Sequence, residues 1–134
     1  LIDFGLVRIL DLDSLTASAL AMGPATPGYA ALEQLQNKKR DIDARADLFG
    51  LGVTLYECCE GRNPLRDGAT DIRQIIQRTE HSPLPRITRN VEPSGEFVDL
   101  VYSMTRPRRD HRIATIADAL DWMEDIARRA AAGP

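Results

Sequence analysis

From about Ala44 to Glu60 the chain is apolar on nearly every side of a helix. Leu48, Leu51, Leu55 and Cys58 line one face, and Phe49, Val53 and Tyr56 cover another. A helix apolar all round is normally the buried centre of a helical domain. Gly61 and then Pro64 predict its C-terminal stop. Three amphipathic stretches follow. Asp71 to Thr79 carries Ile72, Ile75 and Ile76, and Gly95 to Met104 carries Phe97, Leu100, Val101 and Met104 at helical spacing. The last is predicted to start with Thr115 as N-cap and Asp118 three residues on, a capping-box-like arrangement. Its stripe is Ile116, Leu120, Met123 and Ala127, and it fades out over residues 128–134. Ser82-Pro83-Leu84-Pro85, the loop onward to Ser94 and the basic stretch from Arg106 to Arg112 predict irregular connections.

Ahead of the central helix, residues 1 to about 29 predict a short strand followed by irregular chain. Leu12 to Met22 is rich in Ser, Thr and Ala without a firm period, and Gly23-Pro24 and Pro27-Gly28 punctuate its end. A loop of this length inside a compact domain is usually functional. Tyr29 to Gln36 predicts a short helix and Asn37 to Arg40 a basic turn. The expected fold class is mainly α: a strand and loop, then a bundle of four helices.

Composition narrows the function classes only a little. The 134 residues make one domain's worth of chain, and 43% hydrophobic with 28% charged residues is ordinary for a soluble globular protein. A net charge of −3 offers no general basic field for nucleic acid or anionic lipid. Cys58 and Cys59 are neighbours that cannot readily bond to each other in a helix, and no Cys/His set has metal spacing. They read as buried free thiols of a reducing, cytoplasmic compartment. The longest apolar run, Leu48 to Cys59, is too short to span a bilayer and is broken by two glycines.

Candidate chemistry begins at Asp3-Phe4-Gly5. Taken alone the triplet is only three letters, and Asp3 reads as a surface carboxylate capping a turn. Its companions change that. Ala25-Thr26-Pro27-Gly28-Tyr29-Ala30-Ala31-Leu32-Glu33, then Asp43-Ala44-Arg45-Ala46-Asp47-Leu48-Phe49-Gly50-Leu51-Gly52-Val53, then Leu55-Tyr56-Glu57 and Gly61-Arg62-Asn63-Pro64-Leu65 follow in order, with Arg112 ahead of the last helix. In this order and at these separations, the motifs resemble the C-terminal part of a eukaryotic-like Ser/Thr protein kinase domain, most closely its bacterial members. The resemblance covers essentially the whole chain.

The resemblance implies a role for each matched residue. Asp3 would hold Mg²⁺ against the phosphates of ATP, since a hard cation takes oxygen ligands. Phe4 would be the switch residue and Gly5 the turn opening the activation segment, which runs to Glu33. Ser14, Thr16 and Ser18 lie where relatives are phosphorylated; they read equally as solvated loop hydroxyls, and nothing chooses among them. Thr26 and Tyr29 would position a protein substrate, with Ser/Thr rather than Tyr specificity. Glu33 and Arg112 would form a buried ion pair tying the segment to the helices, and Asp47 would hold the catalytic loop's backbone. These last three are scaffold residues rather than catalytic ones. The basic residues Lys38, Lys39, Arg40, Arg106, Arg108 and Arg109 read as solvated turns.

The departures are mostly apolar exchanges: Ala25 for Gly, Phe49 for Trp or Tyr, Leu65 for Phe, and Ile113 where Pro is common. Leu32 stands where the family has Pro and loses a fixed φ. Absences weigh more. Residues 1–134 contain no Gly-x-Gly-x-x-Gly, no lysine strand and no His-Arg-Asp catalytic loop; His111-Arg112-Ile113 comes near in letters but follows the central helix. The expectation is an incomplete kinase domain, inactive alone, whose base lies upstream and whose partners are its N-terminal part and a protein substrate. The alternatives are a non-catalytic lobe remnant acting as a binding module, or a pseudokinase.

Overall fold

The computed structural model describes residues 26–132, in which every regular element is helical. The elements are α1 (Leu32–Leu35), a 3-10 turn (Lys39–Asp41), α2 (Ala44–Glu60), α3 (Ile72–His81), α4 (Glu96–Met104), a second 3-10 turn (Arg109–His111) and α5 (Ile116–Ala132). This is the mainly α architecture expected of the helical part of a kinase C-terminal lobe. The expected strand falls outside the described residues.

Each long helix is bounded by local chemistry. Asp43 caps α2 by accepting from the Arg45 N–H at 2.8 Å, and Gly61, at φ +77°, ends it by donating to the Glu57 carbonyl at 2.8 Å. At α3, Asp71 accepts from Gln74 N–H (3.0 Å) while the Gln74 side chain accepts from Thr70 N–H (2.8 Å). For α5, Thr115 Oγ1 accepts from Asp118 N–H at 3.0 Å. The start of α4 is capped from a distance. The Glu92 carboxylate accepts from the N–H groups of Ser94 (2.8 Å) and Phe97 (3.0 Å), and the Ser94 hydroxyl leads the causes that hold its pKa down to about 2.

The helix α2 is the hub. On one side Phe49, Val53 and Tyr56 join Ala31, Leu65, Leu84, Ile87 and Val101 in one core; on another Leu48 joins Leu100, Met104, Ala119 and Ile126 in a second. Gly52 lets α2 approach the end of α4 closely, because a Cβ there would stand 2.7 Å from Thr105 Cγ2 and 2.9 Å from Met104 Cβ.

Packing corrects the sequence pattern in several places. The short helix expected over Tyr29–Gln36 shrinks to α1, because residues 26–30 form a turn with Gly28 at φ +95°. The helix expected to end at Thr79 runs to His81; Ile72, expected in its stripe, is exposed, whereas Thr79 is buried with its hydroxyl donating to the Ile75 carbonyl. In α5 the buried residues are Ala119 and Ile126, flanked by half-buried Trp122 and Met123. Ile116 and Leu120 are 50% and 54% exposed, so the expected stripe is rotated away from α4. That helix runs to Ala132, within the stretch over which its pattern fades. Leu84 and Ile87 lie in the Pro-containing connection yet are buried. Cys58 is exposed and Cys59 half-buried, so the expectation of two buried thiols fails. Cys58 shares its side of α2 with Leu51, which is 39% exposed, and described residues do not cover that side.

Candidate functional site

Residues 26–33 form a continuous segment pinned to the helical body at three points. At its start the Thr26 carbonyl accepts from the N–H groups of Tyr29 (3.0 Å) and Ala30 (2.8 Å), closing the turn that Pro27-Gly28 begins. The first pin is Asn63, just after α2 and nearly fully buried. Its side-chain amide donates to the Gly28 carbonyl at 3.0 Å, while its side-chain oxygen accepts from Leu65 N–H at 3.0 Å. The second pin is the Tyr29 hydroxyl, which donates to the Glu57 carboxylate of α2. Burial first, and then the bond to Glu57, push the Tyr29 pKa up, so the phenol stays a proton donor.

The third pin is an ion pair. Arg112 Nη1 donates to Glu33 Oε2 at 2.7 Å and Nη2 to Glu33 Oε1 at 2.8 Å, a two-pronged geometry that suits the planar guanidinium. The Arg112 side chain is 0% exposed and that of Glu33 7%. Arg112 Nε donates to the Arg106 carbonyl (2.7 Å), Nη1 also to that of Arg45 (3.1 Å) and Nη2 to that of Pro107 (2.9 Å). A guanidinium has five N–H donors, and each has an acceptor here. The Phe49 ring centroid lies 5.0 Å from the guanidinium carbon. A charge this buried is tolerable only when so completely satisfied.

Thus the structure brings Glu33 and Arg112 together and seats Thr26 and Tyr29 on the same segment. Asp47 stands apart, exposed on the first turn of α2 and without a hydrogen-bond partner among the described residues. Asp3, Phe4, Gly5, Ser14, Thr16 and Ser18 lie outside the described residues. The basic loop does structural work: Arg109 donates to the Asp41 carbonyl at 2.7 Å and pairs with Asp43, while exposed Arg108 pairs with Asp110. Sequence reasoning gave no role to Asn63, Glu57 or Arg78. An Asn before Pro signals a turn, but nothing in that signal points to a carbonyl 35 residues earlier.

Comparison with known sequences identifies the family. The protein kinase domain family matches residues 1–123, and the chain belongs to that family. It is 30% identical to the serine/threonine-protein kinase pkn2 of Myxococcus xanthus over 127 residues, covering 90% of this chain and 15% of that protein. It is 30% identical to the serine/threonine-protein kinase PknB of Mycolicibacterium smegmatis over 118 residues, 87% of this chain and 18% of the relative. A rice relative, the serine/threonine-protein kinase Nek3, is 34% identical over 113 residues, 82% of this chain and 17% of its own length. The chain therefore spans less than a fifth of these relatives.

Proposed function

We propose that this chain is the C-terminal part of a Ser/Thr protein kinase domain, and that residues 26–33 dock the protein substrate while α2 and its neighbours provide a rigid base. The observation that carries this reading is the three-point pinning of the segment by Asn63, Glu57 and Arg112. Positioning contributes to phosphoryl transfer only if the docking surface is held in place. In the complete enzyme, ATP and Mg²⁺ would be held by Asp3 with groups from the upstream half of the domain. Among the described residues no three His, Cys, Asp or Glu side chains gather to bind a metal.

Because residues 1–134 hold no phosphate-cradling loop, no strand lysine and no catalytic base, the isolated chain is expected to be inactive. One face of α2 supports a docking place for the upstream part. Asp47, Leu51 and Cys58 recur at helical spacing and are all exposed, on the helix that supplies the centre of both cores. No helix among the described residues is long and apolar enough to cross a membrane; a cytoplasmic setting is part of the proposal.

The test is phosphate transfer from ATP to a protein substrate by the complete gene product, with Asp3→Asn as control. Transfer that falls at least a hundredfold in the variant supports the enzyme reading. Equal transfer by both proteins refutes the metal role of Asp3, and absence of transfer by the parent leaves the binding-module or pseudokinase reading.

A further inference from the structure

The turn that follows α2 brings a cation to the docking segment. The Arg66 stem lies against Gly28, where an added Cβ would stand 2.2 Å from Arg66 Cγ and 2.4 Å from Cδ. Its guanidinium carbon is 5.8 Å from the centroid of the Tyr29 ring. The backbone beneath it is fixed from both sides. Asn63 ties the turn to Gly28, the Arg66 N–H donates to the Asn63 carbonyl at 3.0 Å, and Arg78 Nη1 donates to the carbonyls of Pro64 (3.3 Å), Leu65 (3.5 Å) and Asp67 (2.6 Å).

The arginine so held is exposed, and among the described residues its guanidinium makes no hydrogen bond or ion pair. Other charged groups near by are otherwise placed. Glu57 receives the Tyr29 hydroxyl, and Arg62 and Asp67 are exposed at the two ends of the turn. A planar, weakly hydrated cation with free donors, fixed at the edge of a peptide-docking segment, suits a carboxylate or phosphate.

We infer that Arg66 is a specificity-determining residue: it favours an anionic side chain at one position of the peptide that lies along residues 26–31. This rests on the docking role proposed above. Gly28 belongs to the same device, because any side chain there would displace the Arg66 stem as well as strain the backbone.

The test uses the complete gene product and peptide pairs that differ only in Asp or Lys, stepped through each position. Binding is read by fluorescence anisotropy and phosphate transfer in parallel. The expected result is one position at which Asp is favoured about two- to fivefold, the range of exposed charge pairs, with the gap narrowing as salt is added. Arg66→Gln, which keeps most of the stem, should remove the preference; Arg66→Glu should reverse it; Arg66→Lys should keep its sign. Melting temperatures of the variants confirm that they are folded. A preference absent at every position, or unchanged in both Arg66→Gln and Arg66→Glu, overturns the inference. Charge-dependent binding without phosphate transfer supports it while sinking the kinase reading. Transfer that ignores peptide charge sinks the inference alone.

Discussion

Replacing Arg112 by Met removes the charge but keeps much of the apolar length that packs on Phe49. It leaves the Glu33 carboxylate, 7% exposed, without its partner, and it takes their side-chain donor from the carbonyls of Arg106 and Pro107, while the Arg45 carbonyl keeps its bond within α2. Breaking a buried pair from one side costs about 3–5 kcal/mol, against a total stability of about 5–15 kcal/mol for a domain. With a urea m-value of about 1–3 kcal/mol/M, the midpoint should fall by roughly 2 M. Glu33→Leu together with Arg112→Met removes the unpaired charge but not the two orphaned carbonyls, each worth about 1 kcal/mol. Each single variant leaves a buried unpaired charge that the double variant lacks, so the double should cost at least about 2 kcal/mol less than the sum of the single changes. The assay is urea unfolding followed by circular dichroism and by the fluorescence of Trp122, the one tryptophan, which packs against the α4–α5 core. A midpoint shift below about 0.3 M for Arg112→Met, or strict additivity in the cycle, would refute the claim that this pair acts as a buried unit.

Three further outcomes are expected. Gly52→Ala should destabilise by about 1–3 kcal/mol through overpacking against Thr105 and Met104, visible as a lowered melting temperature, whereas an added methyl at Gly61 meets open space and should cost only the left-handed backbone strain of about 1–2 kcal/mol. Asn63→Ala should cost about 1–3 kcal/mol by orphaning the Gly28 carbonyl, and amide hydrogen exchange should rise in residues 26–31 and 63–67; protection unchanged in both segments would count against the first pin. Glu92 has a folded pKa of about 2, below its ordinary 4.5, so its contribution is present above pH 4.5 and is lost as pH falls toward 2. The melting-temperature gap between the parent and Glu92→Gln should accordingly be full at neutral pH and close across that window, and a gap independent of pH would contradict the cap.

The helices themselves were largely legible in the chain. Asp43 and Gly61 delimit α2 as a cap and a stop, and the predicted span from Ala44 to Glu60 is the observed one. Asp71 and Thr115 mark the next starts in the same way. These signals are local, resting on a side chain and an N–H two or three residues apart. The faces were harder. In α5 two apolar stripes compete at helical spacing, and the one that carries Ile116 and Leu120 is the one left in solvent. Periodicity fixes only that some face is apolar; which face is buried depends on where α4 lies. Leu84 and Ile87 escaped notice for a related reason, since a Pro-rich connection has no period yet can still cross a core.

What the sequence determined by itself was the helical body, the bounds of its central helix and the family, because capping residues, glycine stops and an ordered series of motifs are written in neighbouring positions. The tertiary structure decided what those residues do for one another. Only folding brings Glu33 to Arg112 across 79 positions, Tyr29 to Glu57 across 28 and Asn63 to Gly28 across 35. Only packing gives every donor of a buried guanidinium its acceptor and sets Arg66 on a glycine with no side chain to exclude it. Such contacts depend on separations in space that no local spacing encodes.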